Sequence, residues 1–246
     1  MRLNKRNKRE LKKICLLLAV IGVVFLWAVE TIGFPITTNI QRGRIQVIDV
    51  SVYNGRINWK KVKDQKINHA MLRIGSGINS RRKGSEDSRF ASNYRSASYA
   101  SIHTGVYYYS YASTKKQAKQ EAAHCLSLLQ KYGIEPGDLD LPVAFDIEEE
   151  PVLKTGRENV TGITETFCEE IKKAGFTPMI YSGASALKSY FIYDKIKDYE
   201  IWVAHYTEAA APSIPFPYRM WQYTSSASVE GANTKQGRCD VNYYQV

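Results

Sequence analysis

The stretch Leu141 to Pro151, LPVAFDIEEEP, ends an apolar run in four carboxylates within five positions. In an extended strand alternate side chains take opposite faces, so Asp146 and Glu148 share one face and Ile147 takes the other. Two carboxyls this close cannot both ionise freely, and one is driven to keep its proton near neutral pH. A protonated acid beside a carboxylate is what cleavage of a glycosidic bond requires. Glu149 and Glu150, running into Pro151, are expected to be solvated turn residues. An acidic loop without chemistry carries the same D-x-E pattern, so the rest of the chain must decide.

Two further acidic positions have a similar setting. Asp49 closes the apolar run of VIDVSVYNG, and Asp240 lies in RCDVNYY near the end of the last strand. Rings accompany them: GVYYYSY, IYSG, IWVAHY, YRMWQY and VNYY place aromatics in or just after strand-like segments. Aromatic faces beside carboxylates suit sugars, which offer C–H faces to stack on and hydroxyls to bond, although aromatics also favour strands for packing alone. Alternation sends Tyr107 and Tyr109 one way and Tyr108 the other. His69, His103, His124 and His205 show no H-x-H or H-E-x-x-H spacing, and the chain has no C-x-x-C pair. No metal and no cofactor is therefore expected. There is no G-x-S-x-G elbow and no glycine-rich phosphate loop. Cys125, Cys168 and Cys239 are odd in number and require no bridge.

The elements that must position these residues alternate. RIQVIDV precedes NWKKVKDQ, HAMLRIG precedes a helical stretch near Ser88 to Ala100, and TGVYYYS precedes STKKQAKQEAAHCLSLLQKYG. In the last of these, Ser113 or Thr114 suits an N-cap, Ala118, Ala122, Cys125, Leu126 and Leu129 form one apolar face, and Gly133 stops the helix. LPVAFDI, VTGITETFCEEIKKAG and TPMIYSG continue the rhythm, with a short helix near Ser185 to Phe191. EIWVAHY, YRMWQYT and RCDVNYY then follow without room for long helices. Eight strands, five of them followed by helices, predict an α/β fold: an irregular β/α (TIM-like) barrel with about five βα units followed by three strands. In such barrels the carboxyl ends of the strands carry the chemistry, which would gather Asp49, Asp146, Glu148 and Asp240 at one mouth.

The chain of 246 residues carries a formal charge of +10. Its first thirty residues hold seven Lys or Arg and two Glu, leaving 27 basic against 22 acidic side chains, a balance of +5 too dispersed for nucleic-acid binding. Ile14 to Val29 is a run of sixteen uncharged residues behind a basic flank. With the IGFPI that follows Glu30-Thr31 it is expected to be a single-pass anchor, the amino terminus cytoplasmic and the remainder extracellular. A cleaved signal peptide, giving a secreted protein, has the same basic and apolar regions. The predicted divisions are a basic tail (1–13), an anchor (14–36), a linker (37–43) and a globular domain (44–246).

VIDVSVYNGRINW resembles the opening G-I-D-V-S-x-x-x-G-x-I-D-W of glycoside hydrolase family 25, the Ch-type lysozymes, in Asp49, Ser51, Gly55, Ile57 and Trp59. Val47 and Asn58 depart from it. The likeness continues through LRIGSG, EDSRFASNYRSA with Asp87, Phe90 and Asn93, GVYYYS, FDIE, IYSG, IWVAHY, WQY and CDVN, in one order from about Gln46 to Tyr244. The resemblance implies hydrolysis of the β-1,4 bond after N-acetylmuramic acid in peptidoglycan, with retention and with the substrate's N-acetyl group as nucleophile. It implies Glu148 as acid and then base, Asp146 steadying the N-acetyl group, and Asp49 and Asp240 positioning substrate and tuning the acid. Tyr107, Tyr109, Tyr181, Trp202, Tyr206 and Trp221 match aromatic positions around the family's cleft. The expected partners are peptidoglycan glycan strands, a membrane through the amino-terminal helix and no nucleic acid, with the protein a monomer. A non-catalytic peptidoglycan-binding protein of the same fold, and a glycosidase for another N-acetylated polysaccharide, are the alternatives.

Overall fold

The computed structural model describes residues 43–77 and 83–246. The predicted tail, anchor and all but the last residue of the linker lie outside the described residues. Among the described residues no helix is long and apolar enough to cross a membrane.

From Arg44 onward the described residues form an eight-stranded barrel. Strands β1 (Arg44–Val50), β2 (His69–Ser76), β4 (His103–Tyr109), β5 (Val143–Asp146), β6 (Pro178–Gly183), β7 (Glu200–Ala204) and β8 (Met220–Ala227) pair in parallel in that order. The last strand, β9 (Cys239–Gln245), is antiparallel to both β8 and β1 and, with the β1–β2 pairing, closes the ring. A two-residue strand, β3 (Ser85–Glu86), adds to the end of β2.

Helices follow the first strands as the rhythm predicts: α1 (Trp59–Asp64), α2 (Phe90–Tyr99), α3 (Lys115–Lys131), α4 (Glu150–Leu153) with α5 (Arg157–Lys173), and α6 (Ala184–Tyr190) with α7 (Tyr193–Ile196). Thr114 caps α3 by accepting from the Gln117 amide, and the chain turns away at Gly133, whose φ of 65° suits glycine. The buried face of α3 is Ala118, Ala122, Cys125, Leu128 and Leu129; Leu126 is only partly covered, and Glu121 is buried with them. β7, β8 and β9 succeed one another with no helix between.

Alternation along the strands separates two layers. Outward residues such as Ile48, Leu72, Val106, Phe145, Ile180 and Val203 pack under the helices. Inward residues fill the barrel: Val47, Met71, Leu141, Met179 and Met220 form an apolar floor, with Tyr107, Tyr181 and Trp202 above it. Gly105 is inward too, and a methyl group there would come within 2.6 Å of Leu141 Cβ and 2.7 Å of Met71 Sδ. Around Gly105 the floor is therefore packed without spare room, and the polar inward residues stand on this layer.

Candidate active site

Parity places the chemistry. Asp49 is inward at the top of β1, Asp146 inward at the last residue of β5, and both are buried. Glu148 lies two residues past the strand. Ile147 keeps the extended pairing for one more step by donating its N–H to Tyr181 O at 3.1 Å, and its side chain joins the outer core. Asp146 and Glu148 consequently line the same cleft. Asp240 stands at the beginning of β9, not near its end, because β9 runs antiparallel. Reversal carries it to the common mouth, opposite Asp49 in register.

The cleft, about 380 Å³, gathers Asp49, Asp146, Glu148 and Asp240 with Tyr107, Tyr109, Tyr181, Trp202 and Tyr206. Tyr107 and Tyr181 meet Trp202 edge-on, with ring centroids 6.1 and 4.5 Å away, while Tyr206 is 55% exposed at the rim. Trp221 is the predicted site residue that does not reach the cleft. Its neighbour Gln222 is the inward one, so Trp221 faces outward, 4% exposed, against Tyr223 and Tyr243, and donates to His205 O at 2.8 Å. A smaller cavity of about 140 Å³ opens at the floor between Leu139, Phe176, Glu200 and Tyr244 and receives none of the predicted site residues.

Polar residues that the sequence did not single out hold the carboxyls in place. Asp49 Oδ2 accepts from Gln222 Nε2 at 3.0 Å and from Asn242 Nδ2 at 2.8 Å. Gln222 Oε1 accepts from the hydroxyls of Tyr181 (2.9 Å) and Tyr206 (2.7 Å), and Asn242 Oδ1 from the Trp202 indole (2.7 Å). Asn242 shares a face with Asp240 by spacing alone, which is the one signal that could have found it. Arg73, inward on β2, bonds Asp87 at 2.8 Å and lies 5.1 Å from the centre of the Tyr53 ring. Asp87 also accepts the amides of Val52 and Arg89, so it ties the loop after β1 to the start of α2. The expectation that Glu149 and Glu150 merely turn the chain is half corrected. Glu150 is exposed and pairs with Lys154, but Glu149 accepts from the Tyr109 hydroxyl at 2.7 Å.

Burial raises all four carboxyls above the ordinary range, and neighbouring charges add to the rise for Asp146, Glu148 and Asp240. For Asp146 the rise is large: burial leads, the charges of Glu148 and Asp49 add to it, and Arg73 opposes it. Asp146 Oδ1 is buried and has no hydrogen-bond partner among the described residues. Glu148 is open to solvent at the mouth, yet the cleft walls take enough of its hydration to raise it, helped by Glu149 and Asp49 and opposed by Tyr109. Burial and the charge of Asp49 push Asp240 up to about 8, and burial raises Asp49 itself. The Asp49–Asp240 pair, opposed across the strands, is thereby biased toward holding a proton. Among the described residues no group of His, Cys, Asp and Glu is arranged to hold a metal ion. What the arrangement provides is proton transfer at the edge of a ring-lined groove, with carboxylates poised to stabilise positive charge.

The family model described as glycosyl hydrolases family 25 matches residues 48–232. Lysozyme M1 of Streptomyces globisporus is 29% identical over 219 residues, covering 80% of this chain and 68% of that protein. The uncharacterized protein YegX of Escherichia coli (strain K12) is 24% identical over 270 residues, covering 99% of this chain and 93% of that protein. Among solved structures, the modular autolysin LytC of Streptococcus pneumoniae superposes with a TM-score of 0.69 at 30% identity. That match covers 82% of this chain but 46% of LytC, so the chain spans less than half of LytC's length. LytC has also been solved in complex with a synthetic peptidoglycan ligand.

Proposed function

Because the chain belongs to glycosyl hydrolases family 25 and is a glycoside hydrolase, we propose that it is a lysozyme cutting the β-1,4 bond between N-acetylmuramic acid and N-acetylglucosamine in peptidoglycan. The observation that carries this reading is the carboxyl cluster: Glu148 raised at the open edge of the cleft beside buried Asp146 with an unpartnered oxygen. Relatives named lysozyme and an autolysin solved with a peptidoglycan ligand support the choice of polymer.

In the proposed reaction Glu148 gives its proton to the glycosidic oxygen as the C1–O bond breaks. The carbonyl oxygen of the sugar's own acetamido group closes on C1 from the other face. Asp146 Oδ1 accepts the acetamido N–H and stabilises the positive charge of the cyclic intermediate. Glu148, now a carboxylate, takes a proton from water as that water opens the ring, and two inversions leave C1 with its original configuration. Burial by itself favours the pair's proton on Asp146, whereas this chemistry needs it on Glu148. An N–H donated to Oδ1 bonds the ionised form of Asp146 and moves the proton the right way, as Arg73 already does in part.

Purified peptidoglycan incubated with the full chain, then reduced with borohydride and read by mass spectrometry, is expected to show new reduced muramic acid ends. New glucosamine ends, cleavage of chitin in place of peptidoglycan, or wall pelleting without any new reducing end would each sink the reading. We also propose that residues 14–36 anchor the protein in the cell membrane with the domain outside. The support is the uncharged run behind seven basic residues. An intact mass of the membrane-extracted protein lacking the first thirty-odd residues would overturn the anchor in favour of a cleaved signal.

A further inference from the structure

Tyr109 stands at the mouth end of β4, level with Asp146 in register, and its hydroxyl donates to Glu149 Oε1 at 2.7 Å. Glu148, the residue before Glu149, lines the same cleft as Tyr109, and Tyr109 favours its ionised form. A phenol has one proton to donate, so the two glutamates compete for it. Both sides of the contest are held in place. The Ser110 amide bonds Asp146 O at 2.8 Å, and the Tyr109 ring packs 5.1 Å from that of Tyr111. The Glu149 carbonyl accepts the amides of Val152 and Leu153, each at 2.9 Å, which fixes it at the start of α4.

We infer that Tyr109 and Glu149 form a positioning pair for Glu148: the Tyr109 hydroxyl bonds Glu149 while Glu148 holds its proton, and turns to Glu148 once that proton has gone to the leaving group. This rests on Glu148 being the acid and base of the reaction proposed above. A single residue that must first give and then take a proton needs a different partner in each half of the cycle, and a hydroxyl shared with a neighbouring carboxylate supplies one. Tyr109 itself stays protonated throughout, since burial and its bond to Glu149 push its own ionisation far up. The other ionisable groups facing Glu148 are Asp49 of β1, Asp146 of β5, Tyr181 of β6, Tyr206 beyond β7 and Asp240 of β9. Arg73 of β2, the cation among the groups lining the cleft, is engaged with Asp87, and none of the others carries a positive charge, so Tyr109 is the neighbour that favours the ionised form.

Two near-isosteric substitutions in the full chain test the pair by the sign of their effects. Tyr109→Phe removes the donor and should move the alkaline limb of the kcat/KM profile on peptidoglycan upward. Glu149→Gln removes the competitor and a like charge and should move it downward. Each shift is expected to be about half a pH unit, the size of one modest hydrogen bond or one solvated charge. A residue that only held the fold would lower activity without moving the limb. Shifts in the same direction, or none in either variant, would overturn the pair; if Tyr109→Phe does not fold, the sign of the Glu149→Gln shift decides alone. Should the unchanged enzyme cut no peptidoglycan, the proposed function fails, and the pair is then judged by 13C NMR titration of the Glu148 carboxyl, which must show the same opposite displacements.

Discussion

Replacing Glu148 by Gln keeps the side chain's shape and removes the proton it would give. Turnover should fall by about 10²–10⁴-fold, the usual worth of a positioned acid, while wall binding measured by pelleting persists; near-normal turnover would refute Glu148 as the acid. Asp146→Asn changes a carboxyl with an unpartnered buried oxygen into an amide that still accepts an N–H but holds no charge. It should cost kcat more than KM, and an unchanged kcat would exclude a charge-stabilising role. Much at this scale was legible in the sequence, because D-x-E in an extended segment puts both carboxyls on one face whatever surrounds them. Gln222, Asn242 and Arg73 were not, since a polar residue in a strand does not announce which partner it meets. The Tyr109–Glu149 contact joins residues forty apart, and no local pattern encodes that. Trp221 was placed at the cleft by the family resemblance of WQY, yet parity with Gln222 turns it outward.

The strands work as alternating shelves, apolar below and polar above. Gly105→Ala tests the lower shelf: the added methyl meets Leu141, Met71 and the Pro142 carbonyl, all within 2.8 Å. It should cost about 1–3 kcal/mol, as overpacking of a filled core does, read as a lower denaturant midpoint; an unchanged midpoint would mean that the floor has slack. The periodicity of 2 and the capping of α3 made most elements readable beforehand. Strand direction was the gap, because a side-chain pattern reads alike from either end. Asp240 was therefore placed at the end of its strand when it stands at the start, and its meeting with Asp49 came from a reversal that the residues do not display.

For the whole molecule, the four raised carboxyls set a pH dependence opposite in sign to that of the surface pairs. Asp240 binds its proton more tightly folded than unfolded between its ordinary value, 3.8, and about 8. The stability it contributes is complete below the lower value and is lost as pH rises through the upper one. Surface carboxyls such as Glu170, held low by Lys173, lose theirs as pH falls instead. The melting midpoint should be highest in mild acid and decline toward pH 9. Asp240→Asn, which can still donate to Asp49, should flatten the decline by about 2–4 °C; a variant with an unaltered slope would show that Asp240 is not the proton's holder.

The reversal of β9 has one more consequence. Arg44 and Gln245 are paired across the strands, so both ends of the barrel lie together at the floor, about 17 Å from the mouth by the rise of five residues. A leash fastened at either end would leave the cutting edge pointing away from whatever holds it. Beads coupled to the protein through residues before Gly43, or through Val246, should then clear a wall suspension equally well, whereas coupling at Thr234 beside the cleft should stop it. If only one of the two floor attachments works, the stand-off between leash and blade is not what the barrel sets.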